Sequence, residues 1–583
     1  MNAATRPVFL LVEEDHEALD ALRQALERRL GADYQIVAET QPERGLSFLQ
    51  QLRERGGQVA VVIAAERMQR VPGEQFLERA HELHPLAGRA LICDVFDRPA
   101  EQSILRAMAL GRADMILERP WGPADHRLYP RIGMLLDRWV QAAEQPGVCV
   151  VRIVMEPDPP HAHELRDVLY RNAVPFQWFP PDSSQGRQLL ELAGQDRKRL
   201  PVLVYFDGRV QVDPSFSEIA EGLRQRSRPD ARHYDVTVIG AGPAGLSAAL
   251  SSASEGLHTL VLECETVGGQ AATTSMIRNY LGFPWGVSGK ALMEWVPIHA
   301  VLFGAEMVFD RAVRLGTCGG QQIIRLAGGS QVTSDAVVIS IGVQYRRLSA
   351  PGVEQLIGAG VFYGASLCEA PATRGRTVYI VGGGNSAGQA AVYLARYAEH
   401  VTIVVRRESL SATMSTYLID QIDELPNVTV RPSTEVTRAG GSGRLEQLTL
   451  DSSATGRAED VEAGALFILA GAQPRTDWLP GTLARDDAGF LLTGSDLVPA
   501  GGLPDGWPLA RSPLPMETSV PGVFAAGDVR HGSTKRVAAA VGEGASAVQS
   551  AHRCIQLLAE THRGVAMSGA SASRPRASRS CSW

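Results

Sequence analysis

The chain has few cysteines for its length, and they are scattered. Seven occur in 583 residues, at positions 93, 149, 264, 318, 368, 554 and 581, with no two at C-x-x-C spacing. That pattern excludes a zinc ribbon and a disulfide framework, and makes the reducing cytoplasm the default location. No metal site is expected. Long apolar runs are also missing. Nothing approaches the eighteen or so uninterrupted apolar residues of a membrane span, and MNAATRPVFLLVEED runs into acids too soon for a signal peptide. No basic run lies in a folded-looking segment, and the formal net charge of −7 speaks against a general nucleic-acid binder. The chain is too long for one core, and 45% hydrophobic with 21% charged residues fits several ordinary globular domains.

What is present centres on YDVTVIGAGPAGLSAALSSASEGLHTLVLE, residues 234–263. It reads as strand, turn, helix and second strand. Gly240, Gly242 and Gly245 give G-x-G-x-x-G at the first strand-to-helix turn. In such a turn the first glycine allows the tight bend, the second lets backbone approach a pyrophosphate, and the third lets helix pack on strand. Glu263 ends the second strand, where a carboxylate accepts from ribose hydroxyls. A related unit follows: a strand at 377–381, GGGNSA at 382–387 opening a small-residue helix, and a strand ending in Arg406-Arg407. Gly382, Gly384, Asn385 and Ser386 make its turn, and the two guanidinium groups suit the 2′-phosphate of NADPH better than a free hydroxyl.

Further pieces fix the order. After Glu263 come Gly269, Gln270 and Asn279 in ETVGGQAATTSMIRNY; near the end, GVFAAGDV contains Gly527-Asp528, followed by a helix start at Arg536 and Val537. Together with FILAGAQPRT at 467–476, these motifs resemble those of the low-molecular-weight thioredoxin reductases over about 325 residues. The resemblance implies FAD held by Gly240, Gly242, Gly245, Glu263, Gly269, Gln270, Asn279, Gly527, Asp528, Arg536 and Val537. It also implies NADPH on the second unit, a homodimer, and an NADPH domain that rotates so that nicotinamide and acceptor take turns at the flavin. The expected domains are FAD-binding at 233–349 and 469–560, with an NADPH domain at 350–468 inserted between them.

One departure bears on mechanism. Those reductases carry Cys-Ala-Thr-Cys shortly before the NADPH strand, whereas this chain has GVFYGASLCEAPATRGR, with Gly364 and Leu367 at the matching spacing and a single thiol, Cys368. Cys368 is the candidate catalytic residue, as a charge-transfer thiolate; the bland alternative is a small buried hydrophobe.

Residues 1–143 alternate strand and helix patterns and resemble a response-regulator receiver, a flavodoxin-like doubly wound domain. Ala65 stands where that family has its phosphoacceptor aspartate, Cys93 at its hydroxyl position and Arg119 at its lysine. Glu13 and Glu14 follow the first strand, as a solvated strand end or a metal remnant. Residues 147–226 resemble a thioredoxin-like module with Pro201 as its cis-proline, yet EPDPPHAHE holds no cysteine where the family has C-x-x-C. Residues 224–232 read as a linker and 561–583 as a disordered tail.

The expected architecture is thus α/β and multidomain: a flavodoxin-like receiver, a thioredoxin-like module, and a flavoprotein with two dinucleotide-binding domains. The expected activity is NADPH-dependent FAD reduction with electrons passed to an unidentified acceptor, of which a redox protein is one candidate. Disulfide reduction on a partner's thiols, ferredoxin or flavodoxin reduction, and flavin-based redox sensing are the alternatives. Neither a nucleic acid nor a membrane is an expected partner.

Overall fold

The structure is a computed structural model. It describes residues 6–568 and 581–582 apart from single residues and short stretches, chiefly 95–106, 108–111, 120–127, 141–149, 157–164 and 365–369. Cys149, Leu367 and Cys368 lie outside the described residues. The chain divides into two compact units, Met1–Val148 and Cys149–Trp583.

In the first unit, β1 (Val8–Val12), β2 (Gln35–Glu39), β3 (Val59–Ala65), β4 (Gly88–Asp94) and β5 (Met115–Arg119) form a parallel sheet in the order β2-β1-β3-β4-β5. This is a doubly wound arrangement. Every residue of β1 and β3 is buried, as expected of central parallel strands covered on both faces. Asp15 caps the helix His16–Leu30 by accepting from the N–H groups of Glu17 and Ala18. Glu13 is not a solvated strand end. It is 5% exposed and paired with Arg119 at 2.8 Å, because the Arg119 side chain crosses the strand ends and also meets Asp94 at 3.0 Å.

The second unit begins with a four-stranded sheet, β7-β6-β8-β9, made from β6 (Val151–Val154), β7 (Phe176–Phe179), β8 (Val202–Tyr205) and β9 (Val210–Val212). β6 pairs β7 parallel and β8 antiparallel; β8 and β9 form the hairpin expected at Asp207-Gly208, with Gly208 at φ 85°. Leu200–Pro201 is cis. The segment read as a linker is docked. Arg226 C=O accepts from Phe309 N–H at 2.8 Å, Arg226 pairs with Glu306 at 2.9 Å, and Asp230 N–H donates to Glu306 at 2.7 Å.

The next sheet runs β12-β11-β10-β15-β14-β13, from β10 (His233–Ile239), β11 (Thr259–Glu263), β12 (Glu306–Phe309), β13 (Ala312–Cys318), β14 (Gln321–Leu326) and β15 (Gln331–Ile339). Val523–Ala525 returns to pair parallel with β15. The helix Pro243–Ser254 packs against the long C-terminal helix Val537–Ser568 so closely that a Cβ on Gly544 would stand 2.1 Å from the Ala244 carbonyl oxygen. Between these parts of the chain lies a five-stranded parallel sheet of Val361–Tyr363, Ala465–Ile468, Thr377–Val381, His400–Val404 and Val428–Arg431, in that spatial order. A two-residue ribbon, Gln344–Tyr345 against Ala472–Gln473, lies where the chain passes between the two sheets.

The C-terminal helix runs on through Thr561 to Ser568, since no proline stops a helix already nucleated. Cys581 and Ser582 pair antiparallel with Cys318 and Thr317, and Cys318 is disulfide-bonded. Sequence spacing hides such a strand pairing, since only the sheet edge brings distant positions together.

Candidate cofactor site

The first glycine motif folds as its residue types require. Gly240 has φ 101°, and a Cβ there would lie 2.6 Å from the Ser340 carbonyl oxygen. A Cβ on Gly245 would stand 1.8 Å from the Gly240 carbonyl oxygen, so helix and strand touch there. Gly242 differs from both: a Cβ there would meet nothing within 4 Å. It is the N-cap of the helix Pro243–Ser254, so open space lies in front of free N–H groups and the positive helix end.

Other parts of the chain converge on this turn. Gly268 N–H donates to Ala241 C=O at 2.7 Å, and a Cβ on Gly269 would come within 3.3 Å of Gly242 Cα. Gln270 Nε2 donates to the Val343 carbonyl, tying this loop to the chain beyond β15. A Cβ on Gly527 would be 2.8 Å from that of Ala244, which sets the Gly527-Asp528 turn beside the same helix start. Val537 begins the C-terminal helix after Arg536, which is exposed. Asn279 is also exposed.

Glu263 is more than a ribose ligand in waiting. Its Oε1 accepts from the N–H groups of Cys264, Glu265 and Thr266 at 2.8, 2.8 and 3.2 Å, and its Oε2 from Ala241 N–H at 2.7 Å. Burial raises its pKa, with these four backbone bonds opposing. Oε2 keeps acceptor capacity for a hydroxyl, while the carboxylate ties the glycine turn to the strand end.

Sequence reasoning missed the support of the Gly527-Asp528 turn. Glu543 accepts from Gly527 N–H at 2.8 Å and forms a two-point pair with Arg530 at 3.1 and 2.9 Å. Burial would raise the Glu543 pKa, but the Arg530 bonds and charge and the Gly527 N–H hold it below the usual value. A lone acid in the small-residue run VAAAVGEGASA was the available signal. Burial raises the Asp528 pKa, with Lys535 opposing; Lys535 Nζ donates to the Asp528 carbonyl at 2.9 Å.

The second motif repeats the design. A Cβ on Gly382 would lie 2.6 Å from the Leu469 carbonyl oxygen, and Gly384, N-cap of the helix Asn385–Leu394, faces nothing within 4 Å. Asn385 Oδ1 accepts from Ser415 N–H at 2.8 Å, and Thr413 Oγ1 donates to Gly383 C=O at 2.7 Å, so residues 413–415 brace this turn. Arg406 and Arg407 follow the strand His400–Val404; Arg406 is 76% exposed and 3.7 Å from Glu435. Gln389 Nε2 donates to Met276 C=O at 3.1 Å, linking the helix Asn385–Leu394 to the loop before Asn279.

Among the described residues, Cys93, Cys264 and Cys554 are outside any disulfide. Burial, with Glu263 and Glu265 nearby, pushes the Cys264 thiol up to about 12, and burial raises Cys554 as well. Neither is a thiolate at neutral pH.

Residues 234–544 match the family described as pyridine nucleotide-disulphide oxidoreductase. The chain belongs to that family. It is similar to the thioredoxin reductase of Streptomyces clavuligerus, 34% identical over 330 residues, which is 56% of this chain and 96% of the relative. The Bacillus subtilis thioredoxin reductase is 32% identical over 332 residues, covering 56% and 96%. The crystal structure of Lactococcus lactis thioredoxin reductase in its FR conformation superposes with a TM-score of 0.50 at 28% identity, over 55% of this chain and 99% of that one. The protein is an NADPH-dependent flavoprotein oxidoreductase that uses FAD and NADPH. The open backbone cradles at Gly242 and Gly384 fit two dinucleotides. No helix among the described residues is long and apolar enough to cross a membrane.

Proposed function

We propose that the protein is a thioredoxin-reductase-like oxidoreductase without an internal thiol relay, whose flavin delivers electrons directly to an external acceptor, a redox protein. When both cofactors are bound, NADPH supplies hydride and FAD accepts it, and the flavin can then release electrons onward. The chain's own part is positioning. The turns at Gly242 and Gly384 offer backbone N–H groups to two pyrophosphates, and Arg406 with Arg407 take the 2′-phosphate. The Glu543–Arg530 pair holds the Gly527-Asp528 turn, and Gln270 fixes the loop that faces the flavin.

The observation that carries this reading is the segment 361–376, which holds one cysteine, Cys368, where a relay needs two. One thiol cannot form the intramolecular disulfide that would store an electron pair.

The other modules read as adaptors. The first unit is receiver-like in strand order, yet Ala65 replaces the phosphoacceptor and Arg119 occupies the acidic strand ends. Residues 147–226 read as thioredoxin-like, a reading the sheet order β7-β6-β8-β9 supports, and they lack a thiol pair. A second reading, reduction of a disulfide on a thioredoxin-like partner, draws on the names of the relatives. Steady-state NADPH oxidation decides between them. Fast turnover with one-electron redox proteins and none with oxidised thioredoxin supports the proposal; the reverse supports the second reading.

A further inference from the structure

The thioredoxin-like module touches the flavoprotein at a specific place. The helical residues Leu165 and Leu169 are buried in the module's core with Val151, Ile153, Leu203 and Tyr205. Asn172 follows that helix. Its Nδ2 donates to Val168 C=O at 2.8 Å, at the end of its own helix, and to Glu265 C=O at 3.1 Å; its Oδ1 accepts from Val267 N–H at 3.4 Å. The carboxamide therefore reads both a carbonyl and an N–H of the segment that leads into Gly268, Gly269 and Gln270. A carboxamide presents an N–H donor and a carbonyl acceptor side by side, which suits a neighbouring backbone carbonyl and N–H.

Each backbone N–H from Cys264 to Gly269 has an acceptor. Glu263 takes the N–H groups of Cys264, Glu265 and Thr266 from one side. Asn172 takes Val267 N–H and Glu265 C=O from the other. Gly268 N–H then goes to Ala241 C=O at 2.7 Å, and Gly269 N–H to Thr266 C=O at 3.1 Å. A continuous chain of hydrogen bonds thus runs from the module's helix end to the glycine turn. The docked linker at Arg226 and Asp230 keeps the module on the same domain.

We propose that Asn172 is a positioning residue through which the thioredoxin-like module sets the loop 265–270 against the flavin, so that the module tunes the cofactor although it has no thiol pair. The proposal rests on the reading that Gly269 and Gln270 face FAD. Its consequence is that the flavin's affinity, spectrum and reduction potential depend on a side chain outside the flavoprotein domains.

The test uses the full-length holoenzyme. Asn172→Ala removes donor and acceptor together, and should raise the FAD dissociation constant about tenfold and shift the flavin absorbance band and midpoint potential. Asn172→Asp keeps an acceptor for Val267 N–H and loses the donor, so it should fall between Ala and wild type. It also serves if the Ala variant does not fold. A residue that only holds two domains together would change the melting temperature and leave the potential where it was. Gln270→Ala, in the loop itself, separates the two levels of the claim. If Gln270→Ala shifts the flavin and both Asn172 variants retain wild-type potential and affinity, the positioning role is overturned. If none of the three variants shifts the flavin, the loop does not face FAD and the reading beneath the proposal fails.

Discussion

At the scale of single residues, the two glycines of the first motif separate binding from folding. Gly242 has φ −73° and ψ −178°, which any residue can adopt, and it faces open space. Gly242→Val should therefore fold and melt like wild type while losing FAD affinity by at least about tenfold, measured by flavin fluorescence on titration. Gly245→Val puts a side chain 1.8 Å from a carbonyl oxygen, so it should cost about 3 kcal/mol of stability or prevent folding. On the second motif, replacing Arg406 and Arg407 by Ala should raise KM for NADPH about tenfold, with kcat and the KM for NADH little changed. The glycine turns were legible because such a turn is written within six consecutive residues. Asn172 was not legible, because its partners are 93 and 95 residues away and nothing local marks it. Glu263 was legible as an acid at a strand end, but its four backbone bonds follow from the fold of the loop after it.

At the scale of elements, the start of the C-terminal helix and the Gly527-Asp528 turn act as one piece, joined by Glu543 and Arg530. The Glu543 pKa is depressed in the folded protein relative to its ordinary 4.5. Its stabilisation is then fully present above pH 4.5 and is lost as pH falls through the depressed folded value. FAD retention and melting temperature should decline on acidification below that point in wild type. Glu543→Gln should start lower at neutral pH and show a shallower acid decline, read by melting curves between pH 7 and about pH 3. Strand and helix patterns gave the parallel sheet of the first unit well, since β1 and β3 are unbroken apolar runs. They did not give the docking of residues 226–230 on β12 or the pairing of Cys581 with Cys318, because edge pairings and polar linkers carry no periodicity of their own.

At the scale of the whole molecule, the division at Val148 gives a direct expectation for the first unit. A chain of residues 149–583 should fold, bind FAD and be reduced by NADPH at close to the full-length rate, measured by stopped-flow absorbance. A large loss would mean that the first unit contributes to the flavin site. The central claim, that no dithiol relay lies between flavin and acceptor, is tested most directly by anaerobic titration with NADPH. Wild-type and Cys318→Ser full-length proteins are titrated side by side, so that electrons taken up by the Cys318 disulfide are counted separately from those held by the flavin. The account predicts complete flavin bleaching with one NADPH, two electrons, per FAD. A requirement for two NADPH, four electrons, per FAD would contradict it.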